Sequence, residues 1–263
     1  MLTIGSSSGG IGDNLIYTPI FNAIPTIFEI KDHPKSRNVT KLFEDLCDIK
    51  FVENPVGCPQ DTSKSTNIIQ KKLDALGLDV SPIPKINILE QEIEWANNFL
   101  KNYKNPIVFV TDTNGSYNSS FEGRYRIPND ELLQSYVDEL NKNYTVLQFS
   151  LSNNIKANWE NNKSNILSNK IYQGCVPIFD LGIRELAACY SIIKKYFGVD
   201  TGDYWLMIAV GGQVQVLCPD STPFYSHDEW HLKPEFWWAE ESRIKYVDFN
   251  LNSRYNMQME GFL

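Results

Sequence analysis

The residues most able to do chemistry sit at the start of the chain, where a Ser/Gly loop from Gly5 to Gly12 runs straight into Asp13. Glycines between a strand and a helix let backbone N–H groups approach a phosphate or a sugar. A dinucleotide site wants positive potential at that helix start, and a carboxylate there would repel a pyrophosphate. Asp13 therefore suits a task other than holding cofactor phosphate, or else the plain role of an N-cap that accepts backbone N–H bonds. Two more arrays have suggestive spacing. His227 and His231 in HDEWH stand i, i+4 with Glu229 between them. The glutamate does not follow the first histidine as a zinc-binding HExxH helix requires, and no third ligand is indicated, so a solvent-facing or capping pair is expected and no metal. Tyr190 and Lys194 form a YxxxK array, which can serve proton transfer.

Positioning these groups requires strands that end in loops. Short apolar runs alternate with amphipathic stretches, the pattern of βαβ units and a mainly parallel sheet. Strands are predicted at Leu2 to Ile4, Ile27 to Ile30 and Ile49 to Val52, with helices at Asp13 to Ala23 and Arg37 to Cys47. Asn54 to Pro84 is richer in Pro, Thr, Ser and Gly, with a helical stretch from Asn67 to Leu76, and Ile88 to Tyr103 follows as a longer polar helix. The pattern then restarts. Strands are predicted at Ile107 to Thr111, Thr145 to Phe149, Tyr196 to Val199 and Val214 to Leu217, with helices at Asn129 to Leu140, Ile183 to Lys194 and Asp203 to Ala209. Asn153 to Asn169 reads as an exposed Asn-rich loop.

Two motifs in this order resemble the heptosyltransferase-type glycosyltransferases, glycosyltransferase family nine. SSGGIGDNLIYTP looks like their amino-terminal signature, and RELAACYSIIKKYFGVDTGDYWLMIAVGGQVQVLCPDSTP is similar to their carboxy-terminal stretch. The resemblance implies an α/β protein of the GT-B type, two Rossmann-like lobes facing across a cleft, the first one reduced. Its expected division is an acceptor-side lobe over 1–104, a donor-binding lobe over 105–242, and a segment over 243–263 that crosses back to the first lobe. It implies inverting, metal-independent transfer of a sugar from a nucleotide-activated donor, which is a substrate, with no cofactor. Asp13 takes the place of the proposed general base, with Gly10, Gly12 and Asn14 in the loop beside it. Asp200, Thr201 and Gly202 match the triplet that holds donor sugar and diphosphate at a helix start. Thr111 and Thr113 stand for the hydroxyl residues after the first strand of the second lobe. Arg124 or Arg126 replaces the usual lysine that neutralises the departing diphosphate. Where the family has Pro, a variable residue and His after the triplet, this chain has Asp203, Tyr204 and Trp205.

Composition bounds the partners. The 263 residues are 42% hydrophobic and 21% charged, which suits a globular protein with a sizeable core. A net charge of −8 repels phosphate backbones and anionic membranes, so a polyanionic partner would need a local patch. The start of the chain lacks a basic stretch followed by an apolar run, and no segment approaches membrane-spanning length, so a cytoplasmic protein without integral membrane contact is expected, of a bacterium or an infected host cell. Cys47, Cys58, Cys175, Cys189 and Cys218 are odd in number and carry no CxxC, as reduced core residues do. The resembled family's usual acceptors are surface glycans such as the lipopolysaccharide inner core. The absence of a basic amphipathic helix keeps a second acceptor open, a hydroxymethylated base in DNA. Other classes stay in view: a nucleotide-sugar isomerase or binder, and a short-chain NAD(P)-dependent dehydrogenase built on Tyr190 and Lys194. Against the last, Ser6 stands where that cofactor loop needs its first glycine. Trp230, Phe236, Trp237 and Trp238 near Pro234 offer either a stacking surface or core beneath a closing segment, and Arg243 to Phe262 could form the crossing tail.

Overall fold

The computed structural model describes residues 1–59, 68–111, 130–151, 171–199, 201–218 and 244–248, and these form two parallel sheets. The first sheet comprises β1 (Leu2–Ser6), β2 (Thr26–Lys31) and β3 (Asp48–Val52) in that order, with Ile4 opposite Phe28 and Phe28 opposite Ile49. The first predicted helix is divided into α1 (Ile11–Leu15) and α2 (Thr18–Ala23). Proline explains the break: Pro19 has no N–H for the Leu15 carbonyl one turn back, and the Thr18 hydroxyl donates to that carbonyl instead at 2.8 Å. The second predicted helix starts earlier and ends sooner, as α3 (Pro34–Val39) and a 3-10 turn over Thr40–Leu42. His33 caps it, accepting from Lys35 N–H at 3.1 Å. The tight turn sends both Leu42 and Phe43 into the core, where Phe43 meets the rings of Phe21 and Phe28 at 5.4 and 5.8 Å.

The second sheet runs in the order β6-β5-β4-β7-β8-β9. Its strands are β4 (Pro106–Val110), β5 (Thr145–Gln148), β6 (Val176–Pro177), β7 (Lys195–Val199), β8 (Gln213–Cys218) and β9 (Ile244–Asp248), all parallel. Ile107, Val108, Phe109 and Val110 are wholly buried, as a strand covered on both faces requires. The chain lays β5 and β6 to one side of β4, then crosses to β7, β8 and β9 on the other. Order therefore reverses between β4 and β7, and a crevice outside the carboxyl ends of those strands is where open α/β sheets bind ligands. Residues Ile244–Asp248 extend this sheet beside β8, and the tail beyond Asp248 lies outside the described residues.

Helices α4 (Ile68–Ala75), α5 (Glu90–Leu100), α6 (Asp130–Leu140), α7 (Ile183–Ile193) and α8 (Gly202–Ala209) complete the described elements. A single buried cluster runs from Ile4 and Phe28 of the first sheet to Val108, Tyr190 and Trp205 of the second part, so the two sheets share a core. Helix α6 covers the other face of the second sheet with Leu133, Tyr136 and Val137. Helix α8 is buried from Asp203 to Ala209, an all-round burial that arises because α1 lies against the face the sheet leaves open. Cys47, Cys58, Cys175 and Cys189 are free thiols, and burial pushes Cys47 and Cys189 up to about 12. Among the described residues no helix is long and apolar enough to cross a membrane.

Helices α5 and α7 are joined by a partly buried ion pair. Arg184 Nε donates to Glu92 Oε1 at 2.7 Å, a second Arg184 nitrogen reaches Glu92 Oε2, and it also donates to the Asn87 carbonyl at 2.9 Å. Arg184→Ala should cost about 1–3 kcal/mol, less than a sealed pair because both side chains keep some solvent. Burial alone would raise the Glu92 carboxyl, but the arginine and the Leu89 N–H hold it below its ordinary range. A depressed native value contributes stability that is full above the unfolded value near 4.5 and is lost as pH falls through the native one. Melting temperatures of wild type and Arg184→Ala should therefore differ at neutral pH and converge in acid; a gap independent of pH would assign the loss to packing alone.

Candidate active site

The carboxyl end of β1 opens into the Ser/Gly loop, and the loop is held by its own side chains. Buried Asn14 donates through Nδ2 to the carbonyls of Ser8 and Gly10 at 2.9 and 2.7 Å. Ser8 Oγ accepts from Gly10 N–H at 3.1 Å and donates to Asp13 Oδ2. Gly10, not Asp13, is the N-cap of α1, and no side chain caps that end. The capping reading of Asp13 is thereby corrected: its carboxylate stands exposed in the first turn, aimed by a serine hydroxyl.

Two glycines decide where that carboxylate lies relative to the second sheet. A Cβ on Gly12 would come within 2.8 Å of Trp205 Cδ1, and one on Gly202 within 2.8 Å of Ile11 Cβ. Only bare backbone lets α1 and α8 approach so closely. The result sets the first turn of α1, the helix that carries Asp13, against the first turn of α8. Thr201 is the N-cap of α8, accepting from Asp203 N–H at 3.2 Å. Thr111, at the end of β4, is buried and accepts from Gln148 Nε2 at 3.2 Å, while Gln148 Oε1 accepts from Tyr172 N–H at 3.2 Å.

The structure sets Gly12, which shares its loop and first helical turn with Gly10, Asp13 and Asn14, against Gly202, which follows the N-cap Thr201, and puts Thr111 just after β4, the strand next to β7. Thr113, Arg124, Arg126 and Asp200 lie outside the described residues, as do His227, Glu229, His231 and the tryptophan-rich stretch. Among the described residues no three His, Cys, Asp or Glu side chains are grouped to hold a metal. Sequence reasoning passed over Ser8, Gln148 and Ser150. Ser8 was legible as a hydroxyl five residues before Asp13, whereas Gln148 and Ser150 gain their roles only from strand neighbours. The dehydrogenase reading finds no support here. Tyr190 is sealed inside with its hydroxyl on Asp203 at 2.9 Å, and Lys194 terminates α7 in a left-handed conformation with its ammonium on the Val210 carbonyl.

A parallel α/β protein with a glycine loop whose helix packs against the helix after β7 is the class these features define. Its fold is shared with the heptosyltransferase-type glycosyltransferases that the two motifs resemble. The chain is similar to the glycosyl transferase family 9 protein from Veillonella parvula, with a TM-score of 0.63 and 11% identity over 94% of this chain and 85% of that one. It is similar to the ADP-heptose lps heptosyltransferase II of E. coli, with a TM-score of 0.58 and 10% identity over 94% and 90% of the two chains. It is similar also to E. coli heptosyltransferase WaaC, solved with ADP-2-deoxy-2-fluoro heptose, with a TM-score of 0.57 and 10% identity over 94% and 92%. No protein-family model matches the sequence, and no curated protein matches it.

The glycine contact yields a prediction about packing. Gly12→Ala must displace the Trp205 indole or α1 and should cost about 1–3 kcal/mol by overpacking. Trp205→Leu removes the obstructing ring, so the double variant should be less destabilised than the sum of the two single ones. Denaturant titration of the four proteins decides it, and strict additivity would mean that the two residues do not touch in solution.

Proposed function

We propose that the protein is an enzyme that transfers a sugar from a nucleotide-activated donor to an acceptor hydroxyl. The observation that carries this reading is the exposed Asp13 carboxylate, aimed by Ser8 and carried by a helix, α1, whose first turn packs against the first turn of α8. On this reading residues 1–104 form the acceptor side and 105–242 the donor side. The donor diphosphate lies along the first N–H groups of α8, whose partial positive charge suits it, with Asp200 and Thr201 beside the donor sugar and Thr111 and Thr113 at the end of β4. Asp13 takes the proton of the acceptor hydroxyl as its oxygen attacks the anomeric carbon. The bond from that carbon to the diphosphate oxygen breaks, and the nucleoside diphosphate leaves with the electron pair. Attack opposite the leaving group inverts the configuration. Arg124 or Arg126 meets the departing negative charge. Binding both substrates across one crevice supplies the orientation the step needs.

The three similar solved structures support this choice of reaction, and the ADP-heptose analogue bound to one of them makes ADP-linked sugars the first donors to try. A glycan of the lipopolysaccharide type is the acceptor this favours, and a nucleotide-activated donor implies a cytoplasmic setting. The residues assigned to the leaving group are cations and backbone N–H groups, so no metal is needed for the step.

Asp13→Asn keeps the size of the side chain and loses the base, so turnover should fall by roughly a hundredfold to ten-thousandfold with little change in melting temperature. The measurement is release of nucleoside diphosphate from ADP-sugars, GDP-sugars and UDP-sugars with glycan acceptors. Turnover in Asp13→Asn equal to wild type would remove the assigned base. Treatment with EDTA should leave the rate unchanged; a rate abolished by EDTA and restored by one divalent ion would replace the cationic leaving-group role with a metal.

A further inference from the structure

Asp203 is an acid sealed in the interior, 6% exposed, at the second position of α8. Three hydroxyls converge on it. Ser150 Oγ donates to Oδ1 at 2.5 Å, Tyr190 Oη to the same oxygen at 2.9 Å, and Thr201 Oγ1 to Oδ2 at 3.3 Å. The three donors come from three parts of the second sheet's upper edge: Ser150 follows β5, Tyr190 belongs to α7, and Thr201 links β7 to α8. Strands β5 and β7 flank β4, so one side chain ties together the loops on either side of the switch point. Ser150 is held there in a left-handed backbone conformation, φ 57°, which a non-glycine residue adopts only where its surroundings fix it.

Helix stability alone does not call for this acid. Thr201 already caps α8, and burying a carboxylate costs more than burying an apolar side chain of its size. The rest of the helix, Tyr204 to Ala209, is apolar or aromatic. A costly polar group kept at one position, in a place where the resembled family's motif has other residues, marks a site where geometry matters more than burial energy.

We infer that Asp203 is a positioning residue for the donor: it holds Thr201, and with it the first N–H groups of α8, at the spacing a diphosphate needs. The inference rests on the donor site proposed above. Asp203 touches neither substrate. Its oxygens face Ser150, Tyr190 and Thr201, so it acts through the loop that they and it lock. Burial pushes its carboxyl above the ordinary carboxylate range, against the pull of its hydroxyl partners, and burial holds the Tyr190 phenol well above its usual value.

Calorimetry of the full chain with ADP, GDP, UDP and CDP, well below the lowest melting temperature, tests the inference. Asp203→Ala should weaken the best-bound diphosphate about tenfold to a hundredfold, as expected when several hydrogen bonds to one group are lost together. Asp203→Asn should stay within about threefold, because its carbonyl can accept from Ser150 and Tyr190 while its amide donates to Thr201. Donor KM should rise in Asp203→Ala more than kcat falls. If Asp203→Ala fails to fold, the Ser150→Ala/Tyr190→Phe pair strips both donors from Oδ1 and should weaken binding at least about fivefold. Affinity equal to wild type in Asp203→Ala, or in that pair, would make the network merely structural and overturn the inference. Asp203→Asn as weak as Asp203→Ala would assign the effect to charge and overturn it equally. A wild type that binds none of the four diphosphates would remove the proposed donor site and this inference with it, a result distinct from variants that match a wild type that binds.

Discussion

Two glycines let a helix from one sheet touch a helix from the other, and the remaining geometry of the crevice depends on that contact. Gly12 lies under the edge of Trp205, and Gly202 lies under Ile11. Any side chain at either position would push α1 and α8 apart, and the first turn of each would no longer face the same space. Burial follows from the same contact. Helix α8 can be apolar on every side because the first sheet's helix covers what its own sheet does not. The ion pair of Arg184 with Glu92 adds a second, more distant link, since Arg184 on α7 also reaches the Asn87 carbonyl ahead of α5. A hinge between the halves would have to break apolar contacts at α1 and α8 and keep or break this polar one.

The Ser/Gly loop shows how a short sequence can fix a carboxylate without burying it. Asn14 satisfies two loop carbonyls from below, Ser8 accepts from Gly10 and donates to Asp13, and Ser6 Oγ accepts from Ser8 N–H at 3.2 Å. Each bond is individually modest in water-exposed surroundings. Together they leave the loop few alternative shapes, and they do so with side chains that belong to the loop itself or to the helix it feeds. This is why the loop needs no metal or cofactor to be shaped, and why its glycines act mainly by allowing close approach.

Much of this was legible in the sequence, and the misses have physical causes. The strands at Ile107 to Thr111 and Tyr196 to Val199 read correctly because parallel strands buried on both faces are continuous apolar runs. The division of the first helix was signalled by Thr18-Pro19, but periodicity outweighed it, as apolar residues continue through the break. Strand β6, two residues long, and β9, preceded by a stretch with strong aromatic content, carry no period that a window could detect. Lys72 is buried with its ammonium 4.9 Å from the Tyr17 ring, a placement that no charge pattern reveals. In the site, Asp13, Asn14 and the glycines were readable because they are neighbours in sequence. Gln148 and Ser150 were not, because each is defined by partners 20 or more positions away.

Asp13 and Asp203 show how environment separates two carboxylates on either side of one helix contact. Both occupy the first turn of a helix, and both accept from a serine hydroxyl. Among the described residues Asp13 accepts from one hydroxyl, that of Ser8, and its side chain is exposed, as the proposed base requires. Asp203 has three hydroxyl partners and almost no solvent, so moving a proton to or from it would disturb a network spanning three elements. An acid of the first kind can do chemistry, and one of the second kind can hold the frame in which chemistry occurs. The two lie on opposite sides of the glycine contact, Asp13 one residue after Gly12 and Asp203 one residue after Gly202. A shift of that contact would therefore move the exposed carboxylate and the locked loop relative to each other, which makes the two bare backbone positions as consequential for the proposed site as either acid.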